Sequence, residues 1–338
     1  MTSIANKNDL RSYNLSGFSL QGAELGGANL NEARLVGADL SGADLSRADL
    51  SCANLQGANL AGADLYQAKL AGANMSGCNL TNSDLTAADM RDAQLAGAQA
   101  NGAKFAGANL AGISANGAEF EHCDFSDANL SNAKLSGCRL AYSIFVKSDL
   151  TKVTLFSVDL TGSDLRGAQL EDANLSGAML HSVQMGGAYM KNVSLKSVDL
   201  SAANLHDTML EGVHLSGSNM NGAILTGSDL SGARMNNVSL LKAVLTDVEM
   251  IEANLSNANI RGTAMPNANV SAANLTGSGL YREDALHAHN GLRHSDTTRW
   301  DDPNRRRIIQ ARNRYLEQRI ELIQEVNFFQ RVLKWTGL

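Results

Sequence analysis

Chemistry in this 338-residue chain would have to come from 34 Asp and Glu, 7 His and 4 Cys. His287, His289 and His294 have a spacing that could hold a metal, but they stand in a polar, irregular stretch and read as surface histidines. Cys52, Cys78, Cys123 and Cys138 form no C-x-x-C pair, so neither a zinc site nor a disulfide framework is expected, and they fit a reducing compartment. No G-x-x-x-x-G-K-[ST], G-x-G-x-x-G or H-E-x-x-H occurs. Carboxylates are plentiful, but acid–base work needs a cleft that desolvates one of them. No catalytic residue, cofactor or metal is therefore expected. The chain reads as non-enzymatic.

The elements that carry these residues are set by a repeat. All 55 positions numbered in multiples of five, from Leu10 to Leu280, are apolar, and 39 of them are Leu. The position two earlier is almost always small, with 31 Ala, 8 Val, 7 Ser, 3 Cys and 2 Thr. Asp or Asn most often sits between the two, so the unit is A-(D/N)-L-x-x. A period of five matches neither 3.6 nor 2, so no straight helix or strand can bury it. The chain must turn about once per unit, with the large and the small residue both inward in a narrow tube. Gly and Asn in the last two positions suit the corners. Aromatics at only 5% and 2 Pro agree with a thin interior rather than a broad globular core.

Glu24, Asp44, Asp64, Asp84, Asp124 and Asp164 recur at multiples of 20, as do Phe105, Phe125 and Phe145. Four units per coil would stack them. With these residues in place, the chain resembles the pentapeptide repeat family over residues 8–280. The resemblance implies an all-β solenoid, a right-handed quadrilateral parallel β-helix. Near 4.8 Å per coil, roughly 13.5 coils would give a rod of about 65 Å. Ala100 and Ala115 stand where Leu is expected, and neighbouring Phe105 and Phe120 should fill the lost volume. Tyr13 and Phe18 are too large for the small slot and are expected to plug the N-terminal end. Residues 1–7 read as a lead.

With four units per coil, charge divides unevenly. The side centred on 15, 35 and onward carries no acid and four bases: Arg34, Lys134, Lys196 and Arg234. The side centred on 10 carries 12 acids and 5 bases, and that centred on 25 carries 9 acids and 5 bases when Lys7 of the lead is counted with it. Two readings stand. An Asn ladder displaces Asp to relieve stacked repulsion, or the acidic sides meet a basic partner.

After Leu280 the pattern stops. Residues 281–302 read as a linker, and Asp302-Pro303 as a helix start. Over 303–338 the spacing predicts an amphipathic α-helix with Ile308, Tyr315, Leu322, Val326, Phe329 and Leu333 on one stripe. Arg305, Arg306 and Arg307 occupy the first turn, where the helix dipole disfavours cations, so an acidic surface is expected to hold them. The stripe exceeds what an end cap needs, and a homodimer through this helix is expected.

These features point to a rod-like protein-interaction scaffold whose partner is another protein of unknown identity. The alternative comes from the resemblance: some family members shield DNA gyrase by imitating duplex DNA. B-DNA carries about one charge per 1.7 Å, so a rod of this length would need roughly 38, against a net −11 from the two acidic sides. A third reading, an exported effector or secretion-system accessory, rests on Phe328-Phe329 and Lys334-Trp335, an apolar end able to touch a membrane surface. No direct nucleic-acid binding is expected. With no Sec-type leader in MTSIANKNDL, a bacterial cytoplasmic location is expected.

Overall fold

In the computed structural model, which describes residues 9–280 and 291–300, every fifth residue forms a parallel bridge to the residue twenty positions on. Asp9 pairs with Asn29, Asn14 with Arg34, Ser19 with Asp39 and Glu24 with Asp44, and the series runs unbroken to Asn254 with Asn274. Twenty residues therefore make one coil of four sides. Face 1 carries the rungs Asp9, Asn29, Asp49 and onward; face 2, Asn14, Arg34, Asn54; face 3, Ser19, Asp39, Asn59; face 4, Glu24, Asp44, Asp64. Faces 2 and 4 lie on opposite sides.

One unit shows how the residues build this. Ala38 and Leu40 point inward and are fully buried. Leu40 donates its N–H to the Asn59 carbonyl (2.7 Å), Gly42 donates to Ala61 (2.9 Å), and Asn59 donates back to Ala38 (2.9 Å). The Leu40 carbonyl accepts from Ala43 N–H (3.1 Å) and closes the corner. The second corner residue takes positive φ, +62° at Gly42, which is why glycine is frequent there. Asp39 explains the D/N preference: its Oδ1 accepts the N–H of Ser41 (3.1 Å) and so braces the turn. Ser46, Tyr66 and Thr86 donate likewise to Asp44, Asp64 and Asp84.

The core is a single stack of Leu and Ala with local repairs. Ala100 and Ala115 leave no exposure, and large rings fill around them. Phe105, Phe125 and Phe145 stack at 4.8 Å centroid spacing, with Phe120 edge-on to Phe105 at 5.9 Å. Hydroxyls in the small slot serve the backbone. Ser143 Oγ donates to the Phe120 carbonyl (2.6 Å) and accepts from Cys123 N–H (3.1 Å), bridging a corner from the coil above. Cys123 and Cys138 act similarly, their thiols donating to the carbonyls of Ala100 (3.0 Å) and Ala115 (2.9 Å).

Two features differ from the sequence expectations. Tyr13 and Phe18 do not plug the N-terminal end; they are 53% and 55% exposed. Both sit in the first coil, and rings too bulky for a slot that elsewhere holds Ala turn outward. Residues 291–300, inside the stretch read as a linker, add two more rungs, Arg293 on Asn269 and Arg299 on Asn274. Thr298 takes the small slot, its Oγ1 donating to the Val270 carbonyl (3.0 Å), and Trp300 packs against the core. The amphipathic helix expected over 303–338 lies outside the described residues.

Candidate protein-interaction surface

The coil positions its surface residues by rung, and the acidic series falls on face 4. Glu24, Asp44, Asp64 and Asp84 occupy four successive rungs. Lys104 then intervenes, 3.8 Å from Asp84, followed by Asp124, Ile144 and Asp164. Above Asp164 the same face becomes neutral and then apolar, through Gln184, Asn204, Ile224, Val244 and Ala264. The six acids picked out by spacing thus share one face but only four are contiguous. The intervening residues were legible in the sequence by reading the whole 20-spaced series rather than its acidic members.

Electrostatics on these rungs follow from the turn bonds. Hydrogen bonds from the Ser46 side chain and backbone hold the Asp44 carboxyl below its ordinary range. Burial pushes Asp84 upward, but the Thr86 bonds and Lys104 outweigh it and the net shift is down. Asp164 is lowered by the Arg166 guanidinium, whose Nη2 lies 2.6 Å from Oδ2. Arg11 with Asp9 and Arg91 with Asp89 repeat that arrangement, each at 2.7 Å. All these carboxylates are charged at neutral pH, so none is poised as a general acid.

Face 2 is the counterpart. Its rungs between Asn14 and Asn274 hold Asn, Gln, Ser, Thr and His with Arg34, Lys134 and Arg234, and no acid. His214 sits on a rung between Ser194 and Arg234. Desolvation, then Lys196 and Arg234, lowers its pKa, so the imidazole is neutral at pH 7. Arg299 joins this face through a register 25 residues from Asn274, which a five-residue reading could not find.

Other sequence candidates fall as follows. His294 stands edge-on to Trp300 at 5.7 Å, while His287 and His289 lie outside the described residues. No group of three or more His, Cys, Asp or Glu among the described residues has the geometry to hold a metal. Ile308, Tyr315, Leu322, Val326, Phe329, Leu333, Arg305, Arg306 and Arg307 lie outside the described residues. No described helix is long and apolar enough to cross a membrane. Sequence reasoning also missed an aromatic shelf between faces 3 and 4, where His122 and Tyr142 stack at 5.4 Å.

The family model for pentapeptide repeats (8 copies) matches residues 9–86, 88–192 and 199–281 in successive, partly overlapping segments. The chain belongs to the pentapeptide repeat family. Its fold is accordingly the right-handed quadrilateral β-helix of that family. Similar solved structures include HetL, a pentapeptide repeat protein involved in heterocyst differentiation regulation from the cyanobacterium Nostoc sp. strain PCC 7120. It is 33% identical, with 67% of this chain and 89% of that one covered and a TM-score of 0.31. QnrB1, a plasmid-mediated fluoroquinolone resistance protein, is 19% identical over 59% of this chain and 90% of its own, with a TM-score of 0.37. Rfr23, a pentapeptide repeat protein from the cyanobacterium Cyanothece 51142, is 24% identical over 42% and 64%, with a TM-score of 0.14. No curated protein sequence matches the chain significantly.

Proposed function

We propose that this pentapeptide repeat protein is a non-enzymatic docking rod that presents side-chain ladders to another protein and assembles into a homodimer through its segment 303–338. The observation that carries this reading is the transverse division of charge. Four consecutive carboxylates, Glu24 to Asp84, line face 4, and the opposite face 2 carries no acid from Asn14 to Asn274. Turn-bracing alone accounts for Asp or Asn at a rung, since both caps work equally well. It does not account for their segregation by face. Segregation serves a partner that approaches from one side.

Titrating basic and acidic peptides of equal length against the full chain tests this. A deca-lysine peptide should bind in low salt and lose affinity when Asp44 and Asp64 are changed to Asn, which keeps the turn caps. Unchanged binding would remove face 4 from the reading.

Gyrase protection is the less favoured use of the same rod. The carboxylate series breaks at Lys104 and Ile144 and ends in Gln184, Asn204, Ile224, Val244 and Ala264. A duplex mimic needs continuous charge along its length. A supercoiling assay with and without ciprofloxacin discriminates: relief of inhibition by the full chain would favour mimicry over the plain scaffold.

A further inference from the structure

We infer that face 2, over the coils from Ser194 to Arg299, is a docking strip for an extended acidic segment of a partner protein. Arg234 and Arg299 stand on its rungs, Lys196 follows the Ser194 rung at the turn, and His214 lies on the rung between Ser194 and Arg234. Among the described residues none of the three cations has an ion-pair partner. Of the seven described arginines off face 2, five are paired with carboxylates, while Arg47 and Arg261 form no ion pair among the described residues. Arg11, Arg91 and Arg166 each pair with the carboxylate two residues earlier, Arg139 with Glu119 and Glu121, and Arg293 with Glu249. Those arginines are neutralised within the rod; the ones on face 2 stand among Ser, Asn and His.

The chain also goes out of register to place one of them. The last bridges span 24 and 25 residues instead of 20, and the second puts Arg299 on top of the Asn254–Asn274 column. Rungs rise by about 4.8 Å each, so the strip from Ser194 to Arg299 extends roughly 24 Å. That is the reach of about seven residues of extended chain. A carboxylate-bearing strand lying along the axis can therefore meet all three cations. Ser194, Ser216 and Asn254 supply neutral polar groups between them.

The width of the strip selects a peptide over nucleic acid. One face is a single unit wide, and faces 1 and 3 beside it carry the carboxylates Glu211, Asp229, Glu249 and Asp199 at these levels. A duplex broader than the face would bring phosphates against those acids, whereas one extended peptide fits between them. From Ser194 to Asn274 the strip's one ring is the His214 imidazole, with no Phe, Tyr or Trp to build a stacking platform for successive bases.

Fluorescence anisotropy of a labelled deca-aspartate peptide against the full chain tests the proposal. Binding is expected in 20 mM salt, with a loss of about fivefold or more in 300 mM, where screening shortens to a few ångströms. Lys196→Glu with Arg234→Glu should weaken it about tenfold. Arg47→Glu with Lys147→Glu, two exposed cations at the corners of face 4, should leave it unchanged. Binding should strengthen as pH falls below the ordinary histidine range and His214 takes up a proton, with Lys196 and Arg234 the charged groups bearing on it. His214→Ala should remove that acid enhancement. All substituted residues are on the surface, and a thermal melt matching the parent's confirms the fold. Absence of binding, equal loss in both double variants, or tighter binding of a 20-base-pair duplex than of the peptide would overturn the assignment. This outcome is separate from the deca-lysine experiment, because the two probes report opposite faces.

Discussion

At the scale of single residues, the small slot decides what a side chain can do. Burial pushes the thiols of Cys78 and Cys123 up to about 12 and that of Cys138 up to about 11. Cys52 is on the surface. Iodoacetamide at pH 8 should therefore label Cys52 alone in the folded protein and all four only in denaturant, counted by mass spectrometry. Leu165 is wholly buried, and Leu165→Asp should abolish the cooperative circular-dichroism melt, since an unpaired buried carboxylate costs several kcal/mol. Corners give a finer test. Gly62 (φ +66°) and Gly162 (φ +67°) have nearly the same backbone, but a Cβ on Gly162 would come 2.7 Å from the Tyr142 ring, whereas one on Gly62 would meet nothing within 4 Å. Gly62→Ala should cost about 1 kcal/mol for the left-handed conformation. Gly162→Ala should cost about 0.5–1.5 kcal/mol more, through the displaced His122–Tyr142 stack. The excess, read from urea midpoints, should vanish in a Tyr142→Ala background.

At the scale of the coil, the braced turn ties stability to pH. Asp39, Asp44, Asp89 and Asp164 have folded-state pKa values below their unfolded values. Their contribution is fully present above the unfolded value near 4 and is lost as pH falls through the lower folded value. The melting temperature should thus hold from pH 7 to about 4.5 and fall below that. Arg166→Ala should shrink the fall only slightly, because the arginine side of the pair is largely exposed. How much of the coil was legible follows from its repetition. Inward Leu40 and Ala38, corner Gly42 and the 20-residue stack beneath Phe125 all recur in register, so each unit confirms the next. Tyr13 and Phe18 were misread because size alone says they cannot fit the slot, not whether they cover the end or turn away from it. Arg299 escaped because its rung depends on a 25-residue step that has no earlier copy. The neutral end of face 4 was legible, but only by reading Gln184, Asn204, Ile224 and Val244 together with the acids.

For the whole molecule, the rod and its remaining segment make separable claims about mass. Light scattering of the full chain should give about 71 kDa, twice the 35.7 kDa of one copy. Val326→Asp with Phe329→Asp should halve it, and a parent mass near 36 kDa would leave segment 303–338 without the dimer role proposed for it. Since the coil repeats every twenty residues with corners every five, length and orientation are independent variables in this fold. Duplicating twenty residues anywhere between Leu10 and Leu275 lengthens the rod by one storey and returns every later side chain to the same compass direction. Duplicating five keeps the core continuous but turns everything above it by a quarter revolution. A five-residue copy inserted near Leu175 would then swing Lys196, His214 and Arg234 a quarter turn away from Asn54 and Asn74, in a molecule that still folds. A ruler of this kind tolerates changes in length far better than changes in phase.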